Sequence, residues 1–148
     1  MSLKNYGDFG AEWAYSKVQP RLLVEPFISE IASLPIDYKL WTFNGRVELI
    51  QVDTDRETDH KRTMFDCDWK RLPFTTIYPI DERPIERPAT LPEMLDAASI
   101  LSENVPFVRV DLYEIDKKPR FGELTYYPES GWGPFFPAEY DRRVGDLW

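Results

Sequence analysis

Asp111 and Glu123 lie in two segments, 107–114 and 120–127, whose alternation of apolar and polar residues is typical of β-strands. The residues between them contain a turn signal, and a chain that folds back about Lys117 places Asp111 opposite Glu123. Like charges directly opposite each other destabilise an antiparallel pair. A divalent cation would convert that repulsion into coordination, because hard cations take several oxygen ligands. The spacing is therefore compatible with a magnesium site.

Arg109 and Thr125 extend the same polar face. Side chains alternate between the two faces of a strand, so Arg109 shares a face with Asp111, and Thr125 lies opposite Arg109. An arginine in this position can contact a phosphate oxygen or neutralise charge that develops in a transition state. Taken alone, the spacing favours a second interpretation, in which both carboxylates face solvent and Arg109 screens them.

Short motifs elsewhere offer other chemistry. Asp53 and Asp55 have the D-x-D spacing with which nucleotide-sugar glycosyltransferases hold a metal, although so short a motif often arises by chance. The aromatic residues Trp132, Phe135 and Phe136 can grip a sugar ring, close over a nucleotide, or pack the tail of the chain onto the sheet. We favour packing for this cluster and a charged surface loop for the acidic pair.

Composition limits the function classes. The chain has 148 residues, of which 43% are hydrophobic and 15% aromatic, as expected for one globular domain. A net charge of -8 argues against general nucleic-acid binding. The single cysteine, Cys67, excludes an intrachain disulfide and a cysteine-based zinc cluster, and the only histidine, His60, lies in a charged run. Without a membrane-length apolar run or a signal-like start, we expect a cytoplasmic protein.

Strands and turns must position the polar face. Asn44-Gly45 is a strong hairpin signal and predicts a ribbon over 37–52. The apolar run at 21–28 predicts a buried strand, and 73–80 predicts another. The densely charged segment 53–72 has no clear period and predicts a surface loop.

One helix is predicted over 90–105. Thr90 and Glu93 have capping-box spacing, and a buried stripe follows. The members of this stripe are Met94, Leu95, Ala98 and Leu101. A second, short helix is expected from about Pro137. The elements together predict an α+β fold, an antiparallel sheet with few helices.

Several stretches of the chain, in order, resemble the TupA-like branch of the ATP-grasp superfamily, whose members are linked to bacterial surface-polysaccharide assembly. They are EWAYSKVQPRLLVEPFI (12–28), DYKLWTFNGRVELIQVDTDR (37–56), FDCDW (65–69), LPEMLDAASILSENVPFVRVDLYEID (91–116) and FGELTYYPESG (121–131). The resemblance implies the carboxy-terminal part of an ATP-grasp fold with ATP and Mg²⁺ as cofactors.

The resemblance also implies roles for single residues. Asp111 and Glu123 match the metal ligands, Thr125 stands where the wider superfamily has asparagine, and Arg109 matches the arginine that contacts the transferred phosphate. For the nucleotide, the implied adenine contacts are Val24, Glu25 and Phe27, the implied ribose contact is Asp37, and the implied phosphate contacts are Lys61 and Arg62.

The implied reaction is ATP-dependent joining of a carboxylate to an amine through an acyl phosphate. Nucleotide and a glycopolymer or amino-acid substrate are then the expected partners. The family has a preceding lobe with a phosphate-binding lysine, whereas this chain begins about twenty residues before the predicted adenine strand. We therefore expect residues 1–148 to form one domain, a partial ATP-grasp fold, completed by another lobe or by a homo-oligomer. A glycosyltransferase using Asp53 and Asp55 and a non-catalytic fragment remain the alternatives.

Overall fold

The computed structural model describes residues 12–26 and 35–148. Its helices and strands, in chain order, are β1 (Asp37–Phe43), β2 (Arg46–Thr54), β3 (Lys61–Phe65), β4 (Thr75–Thr76), α1 (Leu91–Leu101), β5 (Phe107–Ile115), β6 (Lys118–Thr125), β7 (Phe135–Phe136) and α2 (Glu139–Gly145). Short 3₁₀ turns occur at Trp13–Lys17 and Pro128–Gly131. None of the helices in these ranges is long and apolar enough to cross a membrane.

Five strands form one antiparallel sheet in the order β3-β2-β1-β5-β6, and β4 pairs with β7 in a small second sheet. This arrangement confirms the α+β prediction. Residues far apart in sequence meet in the sheet centre, because β5 returns to pair with β1 after α1.

Both predicted hairpins are present. Asn44 (φ 50°) and Gly45 (φ 77°) adopt left-handed conformations between β1 and β2, as a two-residue type I′ turn requires. Asp116 and Lys117 do the same between β5 and β6, with φ of 52° and 55°.

The two faces of the sheet bury different cores. The first packs against α1, with Leu40, Ile50 and Val110 at its centre and Met94 and Ala98 from the helix. On the other face, aromatic side chains form a second cluster at one end of the sheet. Its buried members are Trp41, Phe43, Leu49, Met64, Phe74, Phe107 and Val144. The remainder of that second face carries charges.

The loop prediction for 53–72 is wrong, because β3 lies inside it and pairs with β2 along its whole length. Charge conceals the strand in the sequence: Arg62 is 3% exposed and lies directly opposite Asp53. The buried strand predicted at 21–28 is also wrong over 21–26, where the backbone has no regular structure. Val24 there is 87% exposed, because none of the described strands pairs with this apolar run.

Two further predictions hold in part. Only Thr75 and Thr76 of the strand predicted at 73–80 are paired. The stripe of α1 includes Met94 and Ala98, whereas Leu101 is 41% exposed.

The capping box is absent: Thr90 donates its hydroxyl to Oε2 of Glu114 at 2.7 Å.

Candidate functional site

The charged face of the sheet is built from alternate residues of neighbouring strands. Lys39 of β1 pairs with Gln51 of β2 on one side and Asp111 of β5 on the other, and Asp111 in turn pairs with Glu123 of β6. The predicted opposition of Asp111 and Glu123 is therefore confirmed. A register shift between Asp111 and Leu112 makes this possible.

Asp111 is the centre of a buried ion network. It is 1% exposed, and Arg109 donates to it twice: Nε to Oδ1 at 2.7 Å and Nη2 to Oδ2 at 2.7 Å. Lys39 Nζ donates to the same Oδ2 at 2.7 Å. Burial would lower the pKa of Arg109, but the hydrogen bonds and charge of Asp111 outweigh it and raise the pKa. The arginine thus stays charged in the sheet.

Glu123 and Thr125 stand at the solvent edge of this network. Nη2 of Arg109 lies 3.1 Å from Thr125 Oγ1 and 3.5 Å from Glu123 Oε1, so one guanidinium nitrogen contacts both predicted metal-binding carboxylates and the hydroxyl. The Glu123 side chain is 66% exposed. The four residues share a face, and Glu123 is the most exposed of them, whereas Arg109 and Asp111 are buried.

Asp37 ends the network at the start of β1. Its Oδ2 accepts from Lys39 and, at 3.4 Å, from Arg56, while its buried Oδ1 has no hydrogen-bond partner in the described part of the chain. Burial raises the pKa of Asp37, because desolvation outweighs the charge of Lys39. Most buried polar atoms are hydrogen-bonded, so this oxygen is an exception within the network.

The donor set fits a magnesium ion that is shared with a ligand. No group of three or more His, Cys, Asp or Glu residues within 12–26 and 35–148 is arranged to hold a metal alone. Mg²⁺, however, is commonly held by one or two carboxylates together with substrate phosphates and water. Asp111, Glu123 and Thr125 supply oxygens of this kind, and Lys39 and Arg109 balance their charge in the structure.

A second buried ion pair lies across β2 and β3 on the same face. Arg62 donates Nε to Oδ1 of Asp53 at 2.7 Å and Nη2 to Oδ2 at 3.1 Å. Burial would raise the pKa of Asp53, but the hydrogen bonds and charge of Arg62 outweigh it and lower the pKa. Gln51 Nε2 donates to Asp53 and its Oε1 accepts from the Trp41 indole, which links this pair to the aromatic cluster.

A cavity of about 640 Å³ is lined by Asp53 of β2 and by Ile36, the residue before Asp37. Arg56 and Arg83 are the cationic residues of its lining, and Ile36 and Ile85 supply apolar surface. Five carboxylates also line it: Asp53, Asp55, Glu57, Asp81 and Glu86. This volume lies within the usual range of small-molecule sites. Arg56 contacts both the cavity and Asp37, so the cavity adjoins the charged face.

The other residues implied in nucleotide binding are not in this group. Val24 and Glu25 are exposed and do not line the cavity, and Phe27 lies outside the described residues. Lys61 pairs with Asp59 at 2.9 Å. Because neighbouring side chains of a strand point to opposite faces, Lys61 lies on the face opposite that of Arg62. Their assignment to the nucleotide stays a prediction.

The residues of the alternative motifs have structural partners. Both oxygens of Asp53 bind Arg62, and Asp55 pairs with Arg83. His60 stacks on Tyr78 with ring centroids 3.6 Å apart. Burial and neighbouring carboxylates raise the pKa of the Cys67 thiol, which is unfavourable for a nucleophile. Of the aromatic tail, Phe135 packs against Trp41, whereas Trp132 is 83% exposed.

Sequence reasoning missed Lys39 and Gln51. Both sit in strands where alternation places them beside Trp41 and Leu49, and only the pairing of β1 with β5 brings Lys39 to Asp111. The signal that could have indicated Lys39 is a charged residue within the largely apolar strand β1, because a buried lysine needs a partner of opposite charge.

The model of one protein family, described as TupA-like ATPgrasp, matches residues 1–148. No curated protein and no solved structure matches the chain. The family match spans the charged face, the cavity beside it and the aromatic cluster alike.

Proposed function

Since the chain belongs to the TupA-like ATP-grasp family, we propose that it binds Mg-ATP on the charged face and takes part in joining a carboxylate to an amine. The observation that carries this proposal is the single guanidinium nitrogen of Arg109 that contacts Asp111, Glu123 and Thr125 together. A set of carboxylates with basic partners suits a ligand that brings both metal and phosphate charge.

Asp111, Glu123 and Thr125 would hold Mg²⁺, which neutralises charge on the nucleotide phosphates. Lys39 and Arg109 would bind phosphate oxygens, because the metal would take over their role beside Asp111. Two cationic groups on one rigid sheet can then stabilise negative charge that develops during phosphoryl transfer. Arg109 is the residue to which we assign this catalytic role.

The 640 Å³ cavity is our proposed site for the nucleoside part of ATP. Ile36 and Ile85 offer apolar surface for a base, and Asp37, which follows Ile36 in the chain, is our candidate for the ribose contact. Arg56 lines the cavity and contacts Asp37 at 3.4 Å, and we assign its guanidinium to a phosphate oxygen. The charged face adjoining the cavity would then receive the reactive phosphates.

In the proposed reaction, a carboxylate oxygen attacks the terminal phosphorus of ATP, and ADP leaves. The amine nitrogen then attacks the acyl carbon, inorganic phosphate leaves, and the amine loses a proton to give the amide. We place the process in surface-polysaccharide assembly on the strength of the family. Glycosyl transfer at Asp53 and Asp55 is less favoured, because the family that matches the chain is an ATP-grasp family.

Calorimetric titration of the 148-residue chain with Mg-ATP tests the proposal. We expect weak binding, and we expect Glu123→Gln to weaken it further, by about tenfold or more, as for other changes at metal sites. Glu93→Gln is the matched control, because Glu93 is exposed on α1, which packs on the opposite face. A folded wild-type chain that binds no Mg-ATP would overturn the proposal, as would tighter binding of a uridine diphosphate nucleotide.

A further inference from the structure

A second cavity, of about 260 Å³, lies at the aromatic end of the charged face. Its walls come from β1, β5, the Pro128–Gly131 turn, β7 and α2. The rings that line it include Trp41, Phe107, Tyr126, Tyr127 and Trp148. Trp148 stacks on Phe107 with centroids 5.3 Å apart, which holds an indole face at the cavity although Trp148 is 67% exposed.

The charged side chains that line this cavity are negative. Glu129 and Asp141 are the charged residues among those that line the cavity, and no lysine, arginine or histidine of the described ranges lines it. Glu129 accepts from Arg62 at 3.3 Å, whereas Asp141 makes no ion pair with any residue in those ranges. Aromatic faces carry negative electrostatic potential, and with carboxylates beside them they attract organic cations and disfavour anions.

The cavity adjoins the candidate site directly. Trp41 pairs with Arg109 in the sheet, and Arg109 pairs with Thr125, the residue before Tyr126. Gln51 lines this cavity, and its Nε2 donates to Asp53 Oδ2 at 3.1 Å. Asp53 in turn lines the 640 Å³ cavity. The charged face thus lies between two cavities, and of the two only the smaller has aromatic walls with carboxylates and no cationic side chain among the residues that line it.

We propose that the 260 Å³ cavity binds an organic ammonium group, and that it receives the amine-bearing substrate of the reaction. The second half of this inference rests on the proposed function, whereas the preference for a cation rests on the lining alone. Aromatic rings would enclose the apolar stem of the amine, and Asp141 and Glu129 would lie near its charge.

Titration with n-butylammonium near pH 7, where an alkyl ammonium is charged, tests the inference. The readout is the indole N–H signals of Trp41 and Trp148 in nitrogen–proton correlation spectra of the full chain. n-Butanol has a similar shape but no charge, and it shows whether binding requires a charge. Butyrate is an anion, and it shows whether that charge must be positive. We expect shifts at both indoles with n-butylammonium, at least about fivefold weaker binding of n-butanol, and no binding of butyrate.

Two variants locate the site. Asp141→Asn should weaken n-butylammonium binding by about three- to tenfold, whereas Glu139→Gln, on the same helix but outside the lining, should leave it unchanged. Trp148→Leu keeps an apolar side chain and should weaken the cation more than the alcohol. Equal affinity for n-butanol, or no shift at either indole in the folded protein, would overturn the inference.

The outcome separates this inference from the proposed function. If n-butylammonium binds while Mg-ATP does not, the cation site stands and the ligase assignment falls. If Mg-ATP binds and n-butylammonium does not, the nucleotide assignment stands and the amine is not held in this cavity.

Discussion

Arg109 and Asp111 are held together by two hydrogen bonds of 2.7 Å in the middle of the sheet, with Asp111 also accepting from Lys39. Both side chains of the pair are almost fully buried. Removal of one partner from a buried ion pair leaves an uncompensated charge, which is costly. The pair therefore ties the stability of the fold to the residues proposed to bind Mg-ATP.

Asp111→Ala should lower the free energy of unfolding by about 3–5 kcal/mol, because Arg109 and Lys39 lose their shared buried partner. Glu123→Ala removes the same formal charge from a side chain that is 66% exposed, and should cost no more than about 1 kcal/mol. Urea denaturation followed by circular dichroism measures both. Equal losses for the two variants would contradict a network centred on Asp111.

Gly122→Ala tests the register shift that places Glu123 opposite Asp111. A Cβ at Gly122 would lie 3.0 Å from the Asp111 carbonyl oxygen and 3.0 Å from the Tyr113 ring. The backbone oxygen cannot move freely, so we expect a loss of about 1–3 kcal/mol in unfolding free energy.

Gly145→Ala is the matched control for this substitution. An added Cβ there meets nothing within 4 Å, and Gly145 is the last residue of α2. Alanine is the better helix former, so the control should be neutral or more stable. If Gly122→Ala proved as harmless as Gly145→Ala, close approach of β5 and β6 at this position would be refuted.

The two hairpins could be predicted from the sequence, whereas the complete set of paired strands could not. Asn44-Gly45 determines its turn locally, and so the β1–β2 ribbon was predictable. β3 was not predictable, because the partner of Arg62 is a carboxylate on another strand, and isolated charges suggest solvent. A strand predicted near Val24 failed for the converse reason: apolar residues alone do not supply a pairing partner.

In the candidate site, too, contacts between residues close in the sequence could be predicted, whereas contacts between distant residues could not. Asp111 and Glu123 were found because a hairpin is local and its alternation can be read in the sequence. Lys39 was missed, since it meets Asp111 only through a contact that spans 72 positions of the chain. The second cavity depends on packing between α2, β7 and the main sheet, which no periodicity encodes.

Asp53 should make stability depend on pH. Its pKa in the fold lies below the ordinary value of 3.8, because the hydrogen bonds and charge of Arg62 outweigh burial. The stabilisation is therefore complete above that ordinary value and is lost as the pH falls through the lower pKa of the folded state. Asp53→Asn should be less stable than the wild type near pH 7, and the difference should shrink as the pH falls below about 4.

Urea denaturation over this pH range measures the effect of Asp53. Glu139→Gln, an exposed carboxylate on α2, provides the control and should run parallel to the wild type. A stability difference for Asp53→Asn that stayed constant down to low pH would show that the Arg62 pair does not depress the pKa.

The start of α1 is stabilised from β5 instead of from its own first turn. Glu114 Oε2 accepts from the Thr90 amide at 2.8 Å and from the Thr90 hydroxyl at 2.7 Å, whereas Glu93, the predicted capping-box partner, is exposed. Glu114→Ala should therefore lower the free energy of unfolding by about 1–2 kcal/mol, comparable to loss of a helix cap, and Glu93→Ala should change it by less than about 0.5 kcal/mol. Denaturation of the two variants under identical conditions gives the comparison, and a larger loss for Glu93→Ala would restore the local capping box and remove the tie between α1 and β5.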